Sequence, residues 1–115
     1  MANLWHMRFA LQDINNFTDN EAGGYAEHDW PAAYWPGNNG DWDAEVAAFL
    51  WERGRMEALV LDPHRDLLAP FPWGSGQTLL REALVAIDHN AHHLGQLIEL
   101  SRWLESAASW SRSSL

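Results

Sequence analysis

One long apolar stripe near the C-terminus restricts the fold more than any other feature. Leu80, Leu84, Ile87, Ala91, Leu94 and Ile98 recur at intervals of three and four residues, the spacing that puts side chains on one face of an α-helix. Ala83, Ala86, Leu97, Leu100 and Leu104 widen that face to well over a third of the circumference. A helix of this kind, starting at residues 76–78 and ending near 104–108, must pack against more than one neighbour. Ser75 or Thr78 is suited to cap its start. A second stripe, Leu4, Met7, Leu11 and Ile14 with Ala10 and Phe17, predicts a helix over residues 4–17 with Asn3 as its cap. A third, with Val46, Phe49, Leu50, Met56, Leu59 and Val60 on its apolar side, predicts a helix over 43–61. Asp43 caps it, Gly54 weakens its middle and Asp62-Pro63 stops it. Nothing alternates with the period of two that a half-buried strand needs, so the expected class is all-α.

Two long connections join these helices. Residues 19–43 hold Gly23-Gly24, Trp30-Pro31, Trp35-Pro36-Gly37 and Asn38-Asn39-Gly40, which supply turns and discourage helix. Connections this long inside a small domain are often lids or packed covers. Residues 62–77 form the second, with Leu67, Leu68, Phe71 and Trp73 as expected anchors. Of the 8 Trp in the chain, Trp30, Trp35, Trp42 and Trp73 fall in these connections and are expected to pack onto the core. The 115 residues suit one domain with one core. The Ser- and Ala-rich residues 106–115 are expected to fray.

Composition removes several chemistries. Without Cys there is no disulfide scaffold, Cys-ligated zinc, iron–sulfur cluster or cysteine nucleophile. All 7 basic residues are Arg, which excludes Schiff-base and P-loop lysine chemistry. Against them stand 16 acidic residues, and the resulting net charge of −9 disfavours nucleic acid and anionic membrane surfaces as partners. The first residues lack the basic and apolar regions of a signal peptide, and no apolar run approaches the ~20 residues that span a bilayer. A cytoplasmic protein is expected.

The chemistry left to consider belongs mainly to six histidines. His89 and His93 are one turn apart on one helical face, within bridging reach of a single metal. Their place at the border of the apolar stripe suits neutral imidazoles and therefore zinc, nickel or iron. His92 points about 100° away, towards Asp88, Gln96 and Glu99, and reads as a surface residue. A zincin would need Glu directly after the first His; Asn90 stands there, so a metalloprotease is rejected. A third ligand must come from elsewhere. His6, on the flank shared with Ala10, Asp13 and Phe17, is the best placed, although taken alone it reads as a partly buried structural histidine. His28 and His64, in the connections, remain substitutes.

The stretch Gly74-Ser75-Gly76-Gln77-Thr78-Leu79-Leu80-Arg81-Glu82-Ala83-Leu84, followed by Asp88-His89-Asn90-Ala91-His92-His93-Leu94-Gly95-Gln96-Leu97, resembles the last helix of the DinB-like superfamily of metal-dependent helical bundles. Trp5-His6 leading to Gln12-Asp13-Ile14, then Trp30-Pro31 and Tyr34-Trp35-Pro36, resemble further pieces of that family in the same order. The resemblance spans residues 4–104. It implies a four-helix bundle whose metal is held by three histidines, matching His6, His89 and His93 here. Three neutral histidines leave an open position, as in catalytic rather than structural zinc. The family further implies thiol-dependent transfer or isomerisation with bacillithiol, mycothiol or glutathione. In a chain without Cys such a low-molecular-weight thiol would have to be supplied from outside, alongside a small-molecule substrate.

Two departures from the family pattern shape the expectations. Relatives usually have a further helix before the one carrying the first His, so this chain offers three helices for a four-helix architecture; either a homodimer partner completes it, which is the expectation, or the bundle is incomplete. Many relatives also have His where this chain has Trp73, which would narrow a pocket there. Asp13 and Glu82 are candidate supports for the metal ligands, and Arg102 a candidate for the anionic end of a thiol cofactor. The expected activity is transfer or hydrolysis on a small molecule at the three-His metal. The rivals are a non-catalytic dimerising or structural protein and a metal carrier or sensor using the same ligands.

Overall fold

The computed structural model describes residues 2–30, 32–34 and 41–113, and for residues 2 and 110–113 the backbone alone. Three α-helices and no named strand occur among the described residues: α1 (Ala2–Thr18), α2 (Trp42–Leu61) and α3 (Leu79–Ser113). Among the described residues of the first connection, Ala32–Tyr34 form a 3-10 turn. No helix among the described residues is long and apolar enough to cross a membrane.

Helix α1 is the centre of the molecule. Its contacts to α2 climb together along both chains, from Arg8 with Glu45 to Asn15 with Glu52 and Asn16 with Arg55, so these helices run parallel. Helix α3 runs the other way, bringing His89 to His6 and Ala86 to Leu11. The core is small and apolar: Leu11, Met56 and Ala86, ringed by Ile14, Phe49, Val60 and Ala83. Beside it a polar seam is buried between α1 and α2. The Asn15 amide donates to the Glu52 carbonyl at 2.9 Å and to its carboxylate at 2.8 Å. Arg55 approaches the same carboxylate at 3.4 Å. A carboxylate taken from water has to be met by donors in this way.

Sequence and structure agree on the three helices and differ in how they present their faces. Helix α1 already includes Asn3, so Asn3 is not its cap. Helix α2 begins at Trp42, capped by Asp41, whose carboxylate accepts from the Asp43 amide; Asp43 is its second residue. Thr78 caps α3, its hydroxyl accepting from the Arg81 amide at 3.1 Å. That helix continues to Ser113, past the end at 104–108 that the stripe suggested.

The main stripe of α3 is the largest correction. Leu80, Leu84, Ile87, Leu94 and Ile98 are exposed. The face turned inward carries Leu79, Glu82, Ala86 and His93 instead. Alanine and histidine allow α3 to approach α1 closely, and the larger leucines are left on the far side. On α2, likewise, Leu50 is exposed and Glu52 buried.

The tryptophans also depart from expectation. Trp30 is 69% exposed, and Trp42, on the first turn of α2, is exposed as well. Trp35 lies outside the described residues. Among the described tryptophans of the connections, Trp73 alone anchors its loop as expected: its indole N–H donates to the Phe17 carbonyl at 2.7 Å, and its ring stacks on Phe71 with centroids 5.1 Å apart. It thereby satisfies a carbonyl that the end of α1 leaves unpaired. Phe71 packs edge-on against Phe17, whereas Leu67 and Leu68 are exposed and do not anchor this connection.

Candidate metal centre

Three imidazoles converge where the start of α1 crosses the middle of α3. The ligand-capable ring nitrogens of His6, His89 and His93 lie within 4.8 Å of one another. His6 and His93 are buried and His89 is partly so. The one-turn spacing on α3 delivers the pair. His6 arrives because its neighbours Met7, Ala10 and Leu11 are buried in the core, which turns that flank of α1 towards α3.

Backbone and side-chain acceptors orient two of the rings. His6 Nδ1 is 3.1 Å from the Tyr34 carbonyl oxygen. A carbonyl only accepts, so Nδ1 carries the proton and Nε2 of the neutral ring is left with its lone pair facing inward. His93 Nδ1 is 2.8 Å from Gln96 Oε1, which again directs Nε2 to the centre. His6 Nε2 and His89 Nε2 are 3.0 Å apart, a hydrogen-bond distance at which His89 donates its proton to His6. Two nitrogens bound to one tetrahedral zinc at 2.0–2.1 Å would be about 3.3 Å apart. The donor set thus fits a divalent metal in place of that shared proton, with modest contraction around the third ring.

The electrostatics favour neutral rings. Burial pushes the His89 pKa from 6.5 down to about 4, assisted by His93, His6 and His92 and opposed by Asp88. Burial also lowers that of His6, against the Tyr34 carbonyl, which raises it, and with His93, which lowers it further. Protons therefore compete weakly with a metal at these nitrogens.

The first connection packs against the outside of this cluster. The hydroxyls of Tyr25 and Tyr34 donate to the two oxygens of Asp13 at 2.9 and 2.6 Å, and His28 Nε2 lies 3.6 Å from the same carboxylate. Burial and these bonds to Asp13 raise both tyrosine pKa values. The rings of Tyr34 and Trp30 stand 6.2 and 6.3 Å from His6. Beyond His89, a trough of about 580 Å³ lined by Leu80, Leu84, Val85, Asp88, His89 and His92 opens to solvent.

The other residues singled out in the sequence have different places. Asp13 does not touch an imidazole of the cluster; it holds the tyrosines that cover it. Glu82 is buried and accepts from Arg81 at 2.8 Å, away from the histidines. Arg102 is exposed, nine residues or roughly 13 Å past His93 along α3. Trp73 packs at the opposite end of α1, so it does not narrow the histidine site. His28 pairs with Asp13 and His64 is exposed in the second connection; neither joins the cluster. His92 is exposed as expected, but Gln96 belongs to His93.

Tyr34 and Gln96 are the functional positions that sequence reasoning missed. Gln96 had a signal, being three residues from His93 on the same helix. Tyr34 acts through its main-chain carbonyl, which no residue type announces. No family model, characterised protein or solved structure matches this chain.

Proposed function

We propose that the chain binds one divalent metal through His6, His89 and His93 and belongs with the DinB-like metal-dependent bundles. The observation that supports this most is the convergence of three imidazoles from opposite ends of the sequence. Two of them are fixed by acceptors that point their free nitrogens inward. Such an ion would supply a Lewis acid with an open position, able to lower the pKa of a bound water or thiol towards ~7. The chain's own residues do the rest. Tyr34 and Gln96 hold their rings in the ligating tautomer. Trp30 and Tyr34 limit water on one side, and the trough beside His89 admits a small molecule from the other. Its leucine and valine walls suit an apolar electrophile. Transfer to an externally supplied low-molecular-weight thiol, or hydrolysis, is the reaction class this arrangement serves.

Metal titration of protein without a histidine tag tests the reading. The wild type is expected to take up one equivalent of zinc or nickel, and His89→Ala to lose most of that affinity while keeping its helical circular dichroism. Equal uptake by both proteins would overturn it. Turnover of an electrophile with a thiol then separates an enzyme from a carrier, for which reversible binding alone is expected.

A further inference from the structure

One chain carries both an unpartnered apolar arm and a groove of matching character. Past His93, α3 runs beyond the N-terminal end of α1, because His93 already packs on His6 near that end. From Gly95 to Ser109 every described side chain except Leu97 is exposed. Leu94, Leu97, Ile98 and Leu104 nonetheless fall on one side of the helix at 100° per residue. The groove lies between α2 and α3, which are splayed apart over α1. It has about 600 Å³, a floor of Leu11 and Ala86, and walls of Met56, Val60, Ala83 and Ile87.

The two features share a helix and a face. Ala83, Ile87 and Asn90 at the groove continue into Leu94, Leu97 and Leu104 on the arm with heptad-like spacing. We propose that two copies of this chain pair α3 against α3 in antiparallel fashion, each arm entering the other's groove. A twofold axis between His93 and Leu94 sets Leu97 opposite the partner's Asn90, Leu100 opposite the partner's Ile87 and Leu104 opposite the partner's Ala83. The pairing is self-complementary, as a twofold interface must be. Each metal site lies close to the axis and each trough beside His89 remains on the far side.

The second copy is favoured as occupant by this register, and the area matches a weak, reversible dimer. An arm of residues 97–113 is about 25 Å long and about 10 Å across, so it covers on the order of 250 Å². Two arms and two grooves together bury ~1,000 Å², below the ~1,200 Å² at which specific, stable interfaces begin and in the range of weak, reversible ones. The α3–α3 contact around Leu94 adds to this.

Sedimentation equilibrium of the full chain, with single-cysteine cross-linking, tests the arrangement. The protein is expected to be dimeric at tens of micromolar. Ile98→Glu is expected to weaken the dimer at least tenfold with helical content unchanged, since Ile98 is exposed within one chain. The sequence has no Cys, so Leu94→Cys reports on a single site and is expected to form a disulfide-linked dimer under mild oxidation. Val85→Cys, on the opposite face of α3, is expected to cross-link far more slowly. A monomer at the highest soluble concentration overturns the proposal, as does a dimer that links through Val85→Cys as fast as through Leu94→Cys.

Discussion

His89 shows how one residue ties chemistry to stability. Burial holds its folded pKa near 4, below the ordinary 6.5, so in that interval the unfolded chain binds the proton and the folded chain does not. Metal-free protein is therefore expected to lose stability as pH falls from about 6.5 towards 4, and to be unaffected by this group above that range. Urea midpoints across pH 4–7 measure it, and His89→Gln should flatten the profile. Asn15 is a second such residue. Its amide serves the buried Glu52 carboxylate, so Asn15→Ala leaves a charged acceptor short of a donor. A loss of about 2–3 kcal/mol in urea unfolding is expected.

At the scale of elements, the covering connection and the cluster are coupled through Asp13. Its two oxygens take both tyrosine hydroxyls, and the carbonyl of Tyr34 sets the His6 tautomer. Asp13→Ala is expected to keep the helices, seen by circular dichroism, while lowering metal affinity about tenfold, the low end of what lost supports of ligands cost. The existence of all three helices was readable because apolar periodicity is a local property, whereas the caps at Asn3 and Asp43 and the end of α3 were misplaced. The His89–His93 pair was readable too. Which side of α3 turns inward was not readable. A stripe broad enough for two neighbours does not say which neighbour comes first, and the smaller face with Ala86 and His93 won. The exposure of Trp30 and Trp42 was hidden for a related reason, since a burial tendency does not specify what is there to bury against.

The whole molecule is 63 Å long and only 26 by 23 Å in section, far from the shape of a self-sufficient small domain. An elongated chain bearing a charge of −9 repels its own copies at low ionic strength. In the proposed dimer, added salt is therefore expected to tighten association, opposite to the behaviour of an interface held by ion pairs. Sedimentation at two salt concentrations distinguishes these outcomes.

His6 and His89 are separated by 83 positions in the sequence and 3.0 Å in space. An ion held between them would close about three-quarters of the chain into a ring. A protease nick anywhere in the intervening connections would then leave two pieces still fastened together. Removing the metal would release them, and the start of α1 would be the first part of the fold to let go.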